Sequence, residues 1–263
     1  MATLRRRLWN PYALVFISSG CTMVIELVAS RLIAPRVGVS LYTWTSVIGV
    51  ILAGISLGNY IGGRLADRYA SPTLLGAVYT LAAYACLLPL WLGEGLHAFR
   101  LPFETPLLLW IVIYISLLFL LPSIILGCVS PIVVKLSLTD LSHAGTTVGK
   151  IYAWSSGGSI FGTFLTGFFL ISRFGTKATV VGVSVLLILL GGWFLATGPW
   201  RKALVRLGFA ALLYVAAVLS LSRAGLLATE CMLETDYSCI NVYEKDQDGR
   251  SVQHGGVGGP QPR

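Results

Sequence analysis

The residue most suggestive of chemistry in this sequence is Glu26, a carboxylate set inside an apolar run. An acidic side chain surrounded by hydrocarbon is costly and turns toward a protein interior. There it either titrates a proton, meets a cationic solute, or pairs with a group on another helix. Arg31 follows five residues later, on a different face of an ideal helix, so the two do not form a neat intrahelical pair. Arg31 is near enough to the end of the run to reach the interface with its charged head. A second group of charges, Arg64, Asp67 and Arg68, sits directly after an apolar run. Asp67 can pair with the two arginines and tie helix ends together as a charge latch. The plainer alternative is a basic cytoplasmic anchor that happens to include an aspartate. His97, His143 and His254 share no helical spacing, and the five cysteines contain no CxxC pair, so no metal ligand set is expected. Sequences of the HExxH and Walker A kinds are absent. The Gly255–Gly259 run lacks the preceding strand and following helix of a nucleotide-binding loop.

The elements that must position these residues are membrane spans. The chain has 263 residues, of which 56% are hydrophobic and 11% charged, with a mean hydropathy of +0.79. Soluble domains carry about 25% charged residues. A chain this apolar needs lipid as its solvent. The net charge of +8 does not point to nucleic acid, because the basic residues flank apolar runs, where they face phospholipid headgroups. Arg5, Arg6 and Arg7 before an apolar stretch resemble a signal peptide, but that stretch is too long for one and contains Glu26. It reads as a retained first span.

Seven runs reach the roughly 20 apolar residues that a crossing requires: 11–34, 42–63, 73–95, 106–134, 147–171, 178–198 and 203–222. The fourth contains Pro122 and Pro131 and is expected to be tilted, kinked or partly re-entrant. Lysine and arginine in the short loops favour a cytoplasmic N-terminus in a cell or inner membrane. Arg64, Arg68, Lys135, Lys150, Arg201, Lys202 and Arg206 then join the N-terminal arginines inside. Arg36, Arg100, Arg173, Lys177 and Arg223 fall outside. Seven crossings place the tail outside, whereas a miscount by one returns it to the cytosol. Gly54, Gly58 and Gly62 form a smooth helix face in the second span. Gly158 and Gly162, with Thr166, form another in the fifth. Both are expected to be close-packing faces.

Composition changes after Ser222. Residues 223–250 read as the start of a soluble unit, with a strand over Tyr237–Val242 and a hairpin turn at Asp248-Gly249. Residues 251–263 look disordered. Cys231 and Cys239 could bridge only outside the cytosol. The expected fold class is therefore an all-α integral membrane bundle of about seven helices with a short C-terminal β stub. Residues 1–10 form a basic cytoplasmic N-terminus and 11–222 the transmembrane domain.

Two resemblances follow from these residues. Gly63-Arg64-Leu65-Ala66-Asp67-Arg68-Tyr69 is similar to the loop between helices 2 and 3 of major facilitator transporters, although the match stops at Ala70-Ser71-Pro72. More of the chain, roughly 14–250, resembles the fused membrane/spermidine-synthase-like proteins, in which a multi-spanning domain precedes a polyamine aminopropyltransferase-like domain. The segments that carry the likeness are Ser19-Gly20, Ile25-Glu26-Leu27, Ser30-Arg31-Leu32 and Gly38-Val39-Ser40. To these are added Gly62 to Arg68, Gly149-Lys150-Ile151-Tyr152-Ala153 through Gly175-Thr176, and Glu234 to Val242.

That resemblance implies decarboxylated S-adenosylmethionine as donor in a full-length member, held by a glycine-rich loop, with downstream aspartates handling the amine. Neither the loop nor the aspartates is recognisable here, so no residue is assigned as catalytic. The chain alone is expected to transfer no aminopropyl group, and it reads as a truncated product. The expected function is a membrane module that anchors or serves such a domain. The alternative is a small transporter resembling half of a major facilitator. It would work as a homodimer, with Glu26 binding a polyamine or another small solute.

Overall fold

The computed structural model describes residues 10–38, 40–95, 106–138, 141–196 and 200–227, together with four short strand segments in the tail. Helix α1 (Pro11–Val37) begins where Asn10 Oδ1 accepts the backbone N–H groups of Tyr12 and Ala13, with Pro11 at a position whose missing N–H costs nothing. It ends at Gly38, whose φ of 82° suits a residue without a side chain. Ser40 caps α2 (Leu41–Tyr69) by accepting the Thr43 N–H at 3.1 Å. This helix continues past the expected end at residue 63, so Arg64, Asp67 and Arg68 lie on its last turns rather than in a loop. Leu65 and Ala66 are strong helix formers, and the first breaker is Pro72, which restricts the residue before it.

Helix α3 (Pro72–Gly95) is followed by α4 (Leu107–Gly127) and α5 (Val129–Ser137). The joint at Cys128 has a physical cause. Pro131 carries no N–H to donate to the Gly127 carbonyl, so the helical ladder is interrupted there. After a single 3₁₀ turn come α6 (Ala144–Leu165), a π-helical turn (Thr166–Leu170), α7 (Ile171–Leu195) and α8 (Trp200–Arg223).

Among the described residues, six helical stretches are long and apolar enough to cross a membrane, and the protein is a multi-pass helical membrane bundle. One stretch, Ala144–Leu195, has 52 residues. As a straight helix it would extend about 78 Å, more than twice the hydrocarbon thickness of about 30 Å. It is not straight. Gly175 adopts φ 78° and ψ 172°, a region open essentially only to glycine. Across this break the Thr179 hydroxyl donates to the carbonyls of both Gly175, at 2.7 Å, and Leu170, at 3.5 Å.

Three helix pairs form the body of the bundle: α1 with α6, α2 with α4, and α3 with α7. Each is held at a glycine contact, because lipid offers no hydrophobic gain for helix association and close backbone approach must supply the attraction. The core between them is apolar, with Tyr79, Phe119, Ile33, Leu75 and Leu187 all but fully enclosed. Helix α8 lies at the edge, with Leu204, Val205, Phe209 and Leu212 facing outward.

In the tail, Leu233–Glu234 pairs antiparallel with Cys239–Ile240, and Tyr243–Lys245 with Ser251–Gln253. The remainder of the expected strand, the Asp248-Gly249 turn and the Cys231–Cys239 pairing fall outside the described residues.

Candidate functional site: the polar edge of the first helix

Helix α1 carries a run of polar side chains, Ser18, Ser19, Thr22, Glu26 and Ser30, along its length. The Ser18 hydroxyl donates to the Leu14 carbonyl at 2.7 Å, which leaves its oxygen to accept from the buried Tyr79 hydroxyl of α3, also at 2.7 Å. Ser19 Oγ meets Ser155 Oγ of α6 at 2.6 Å. Thr22 donates to the Ser18 carbonyl and Ser30 to the Leu27 carbonyl. Each serine and threonine of α1 is therefore satisfied. Glu26 is not: its Oε2 is buried and has no hydrogen-bond partner among the described residues. A polar atom in that condition is expensive and calls for an explanation.

The glycine faces are located by what a side chain would strike. A Cβ on Gly54 would stand 2.6 Å from Ser123 Cβ, and one on Gly62 2.6 Å from Cys128 Cα. One on Gly58 would fall on the Ile124 carbonyl. Gly158 and Gly162 of α6 lie against the backbone of Phe16 and Gly20 in α1, where a Cβ on Gly162 would be 2.6 Å from the Gly20 carbonyl oxygen. Thr166 is fully buried and donates to the Gly162 carbonyl at 2.7 Å. The sequence reading did not anticipate the matching contact between α3 and α7. There Gly76 and Gly191 face each other's helices, with Phe194 and Thr80 beside them.

The expected pairing of Asp67 with its neighbouring arginines is not what forms. Asp67 Oδ1 pairs with Lys135 Nζ of α5 at 2.8 Å, joining two helix ends. The guanidinium carbon of Arg64 lies 4.3 Å from the centre of the Tyr60 ring and that of Arg68 5.5 Å from the Tyr69 ring. With α2 helical through Tyr69, Arg64 and Tyr60 are one turn apart on the same face, so the cation rests on the ring. Beside the Asp67–Lys135 pair a hollow of about 320 Å³ opens between α2, α5 and α6, bordered by Asn59, Pro131 and Tyr152. A smaller one of about 30 Å³ lies among Leu32, Pro89, Tyr114, Lys177 and Leu226.

His143 Nδ1 lies 2.8 Å from Ser142 Oγ, while His97 and His254 are outside the described residues. Two further polar contacts were not read from the sequence: Ser184 Oγ with Tyr214 OH, and Tyr84 OH with the Ala210 carbonyl, each at 2.6 Å. The available signal was a lone tyrosine in an apolar run, whose hydroxyl must find a partner when buried.

Comparison of the chain with protein-family models, with curated proteins and with solved structures finds no match.

Proposed function

We propose that this chain is a membrane-spanning module that anchors or serves a spermidine-synthase-like domain, crossing the bilayer seven times with the segment after Arg223 on the outer face. The likeness of residues 14–250 to that family carries the module reading, and the break at Gly175 within the 52-residue stretch supports a count of seven crossings. Contacts at the two ends of the bundle support it. The small hollow gathers the late part of α1 and α3, the start of α7 and the residues just after α8: Leu32, Pro89, Lys177 and Leu226. The large hollow gathers the late part of α2 and α5 with the early part of α6: Asp67, Lys135 and Val148. Odd-numbered crossings thus end on one side and even-numbered ones on the other. The concentration of lysine and arginine then assigns the Asp67–Lys135 side to the cytosol and the segment after Arg223 to the outside.

A second reading, a small transporter resembling half of a major facilitator, is favoured by the unpartnered Oε2 of Glu26. In that case Glu26 meets a cationic solute, and Asp67–Lys135 latches two helix ends on the cytosolic side. Uptake of labelled spermidine by proteoliposomes containing the purified chain separates the two. The anchoring reading predicts no flux above empty vesicles. Saturable uptake that Glu26→Gln removes would replace it with the transporter reading.

A further inference from the structure

Glu26 is the one acidic residue of the chain that lies well inside a described crossing; Asp67 and Glu94 are at helix ends. Its surroundings follow from the packing of α1 on α6. Phe16 lies on Gly158 and Gly20 on Gly162, so the two helices run parallel. Advancing six residues along each places Glu26 level with Phe168, in the π-helical turn Thr166–Leu170, which α1 touches. Glu26 also follows Ser19 by seven residues, nearly two whole turns, so both side chains share an edge of α1. Ser19 already meets α6 through Ser155. By this register the carboxylate with the unpartnered oxygen and the π-helical turn that follows α6 stand at the same level along one seam.

A π turn is a recurrent feature of functional sites. Where the ladder returns from five-residue to four-residue spacing, it passes over a carbonyl and leaves it available. In membrane proteins, irregular backbone at depth is tolerated where it is buried in protein or lines a water-filled cavity, and in transporters unwound backbone carbonyls there coordinate small cations.

We propose that Glu26 and the π-helical turn Thr166–Leu170 form a binding site for one monovalent inorganic cation. The chemistry selects this class. Carboxylate and carbonyl oxygens suit hard cations rather than soft ones. A single carboxylate balances a single positive charge; a divalent ion would leave a net charge in a low-dielectric interior. This deepens the second reading of Glu26, and it also holds for a module that only anchors.

The test is equilibrium binding of radiolabelled sodium, and of rubidium in place of potassium, to the full chain purified in detergent. The expected result is saturable binding of one of the two ions. Glu26→Gln should lose it. Thr166→Val, which alters the turn without touching the carboxylate, should weaken it about tenfold. If Glu26→Gln fails to fold, Glu26→Asp serves instead and should retain weakened binding. Absence of saturable binding of both ions to the unaltered chain overturns the proposal, as does binding that Glu26→Gln leaves unchanged. Spermidine binding without sodium or rubidium binding overturns it while leaving the second reading of Glu26 intact. Absence of all three overturns both readings of Glu26 and leaves the anchoring module standing.

Discussion

Replacing Gly162 with alanine tests whether the α1–α6 seam is packed backbone to backbone. The added Cβ would stand 2.6 Å from the Gly20 carbonyl oxygen and 2.8 Å from Gly20 Cα. Ordinary contact begins near 3.4 Å, and all three nearest atoms are backbone, so no side chain can swing aside. The helices must separate by up to about 0.8 Å, an overpacking that costs on the order of 1–3 kcal/mol. Separation also strains the Ser19–Ser155 hydrogen bond on the same seam. Alanine's helix preference returns at most about 1 kcal/mol, and with three backbone atoms struck the overpacking cost falls toward the upper end of its range, leaving a net loss of about 2 kcal/mol. At about 2–4 °C per kcal/mol for a chain of this size, the melting temperature should fall by several degrees. The assay is thermal unfolding of purified protein in detergent, with Gly167→Ala as control. Gly167 is five residues further along and would bring its Cβ within 4 Å of nothing, so that variant keeps alanine's helix preference and should melt at or slightly above the wild type. A Gly162→Ala protein that melts at or above the wild-type temperature would refute the packing argument. Equal losses in both variants would refute it too, by showing a general effect of alanine.

Three other outcomes follow from the same structure. Gly175→Val forces a branched side chain into a glycine-only backbone region, at about 1–3 kcal/mol, and should lower the melting temperature by several degrees, whereas Gly182→Val, with nothing within 4 Å, should not. Tyr79→Phe removes the hydroxyl that meets Ser18, whose own proton still goes to the Leu14 carbonyl; the loss should be about 0.5–1.5 kcal/mol by thermal unfolding. Lys135→Ala should cost less than about 1 kcal/mol, since the pair with Asp67 is solvent-exposed, and raising the salt concentration should shrink even that difference.

The helices were legible because the bilayer imposes their length: apolar runs in the sequence coincide with most of the helices, and the short segment read as a loop between residues 171 and 178 contains the break at Gly175. The glycine stripes were legible as close-packing faces, because four-residue spacing puts small residues in one line. Their partners were not, since which helix lies opposite is decided by the packing of the whole bundle. The partner of Asp67 shows the same limit. Arg64 and Arg68 were near in sequence, but helix α2 carries on to Tyr69 and turns Asp67 toward Lys135, 68 residues away. Glu26 stood out at once as a carboxylate in hydrocarbon. That its Oε2 would lack a partner, while every serine and threonine hydroxyl of the same helix found one, depended on contacts no single run of sequence contains. Nor did any signal mark the π turn, because residues 166–170 have the composition of an ordinary apolar helix.

The most direct test of the account is the sidedness of the two ends of the bundle. In a chain whose native cysteines are replaced by serine or alanine, single cysteines would be introduced as Gly145→Cys, at the start of α6, and Ala224→Cys, just after α8. Both positions are exposed. An impermeant thiol reagent would then be applied to intact and to permeabilised cells. Seven crossings with a cytosolic N-terminus predict that Ala224→Cys is labelled on intact cells and Gly145→Cys only after permeabilisation. Labelling of both positions under the same condition would contradict the reversal at Gly175 and, with it, the placement of the tail opposite the N-terminus.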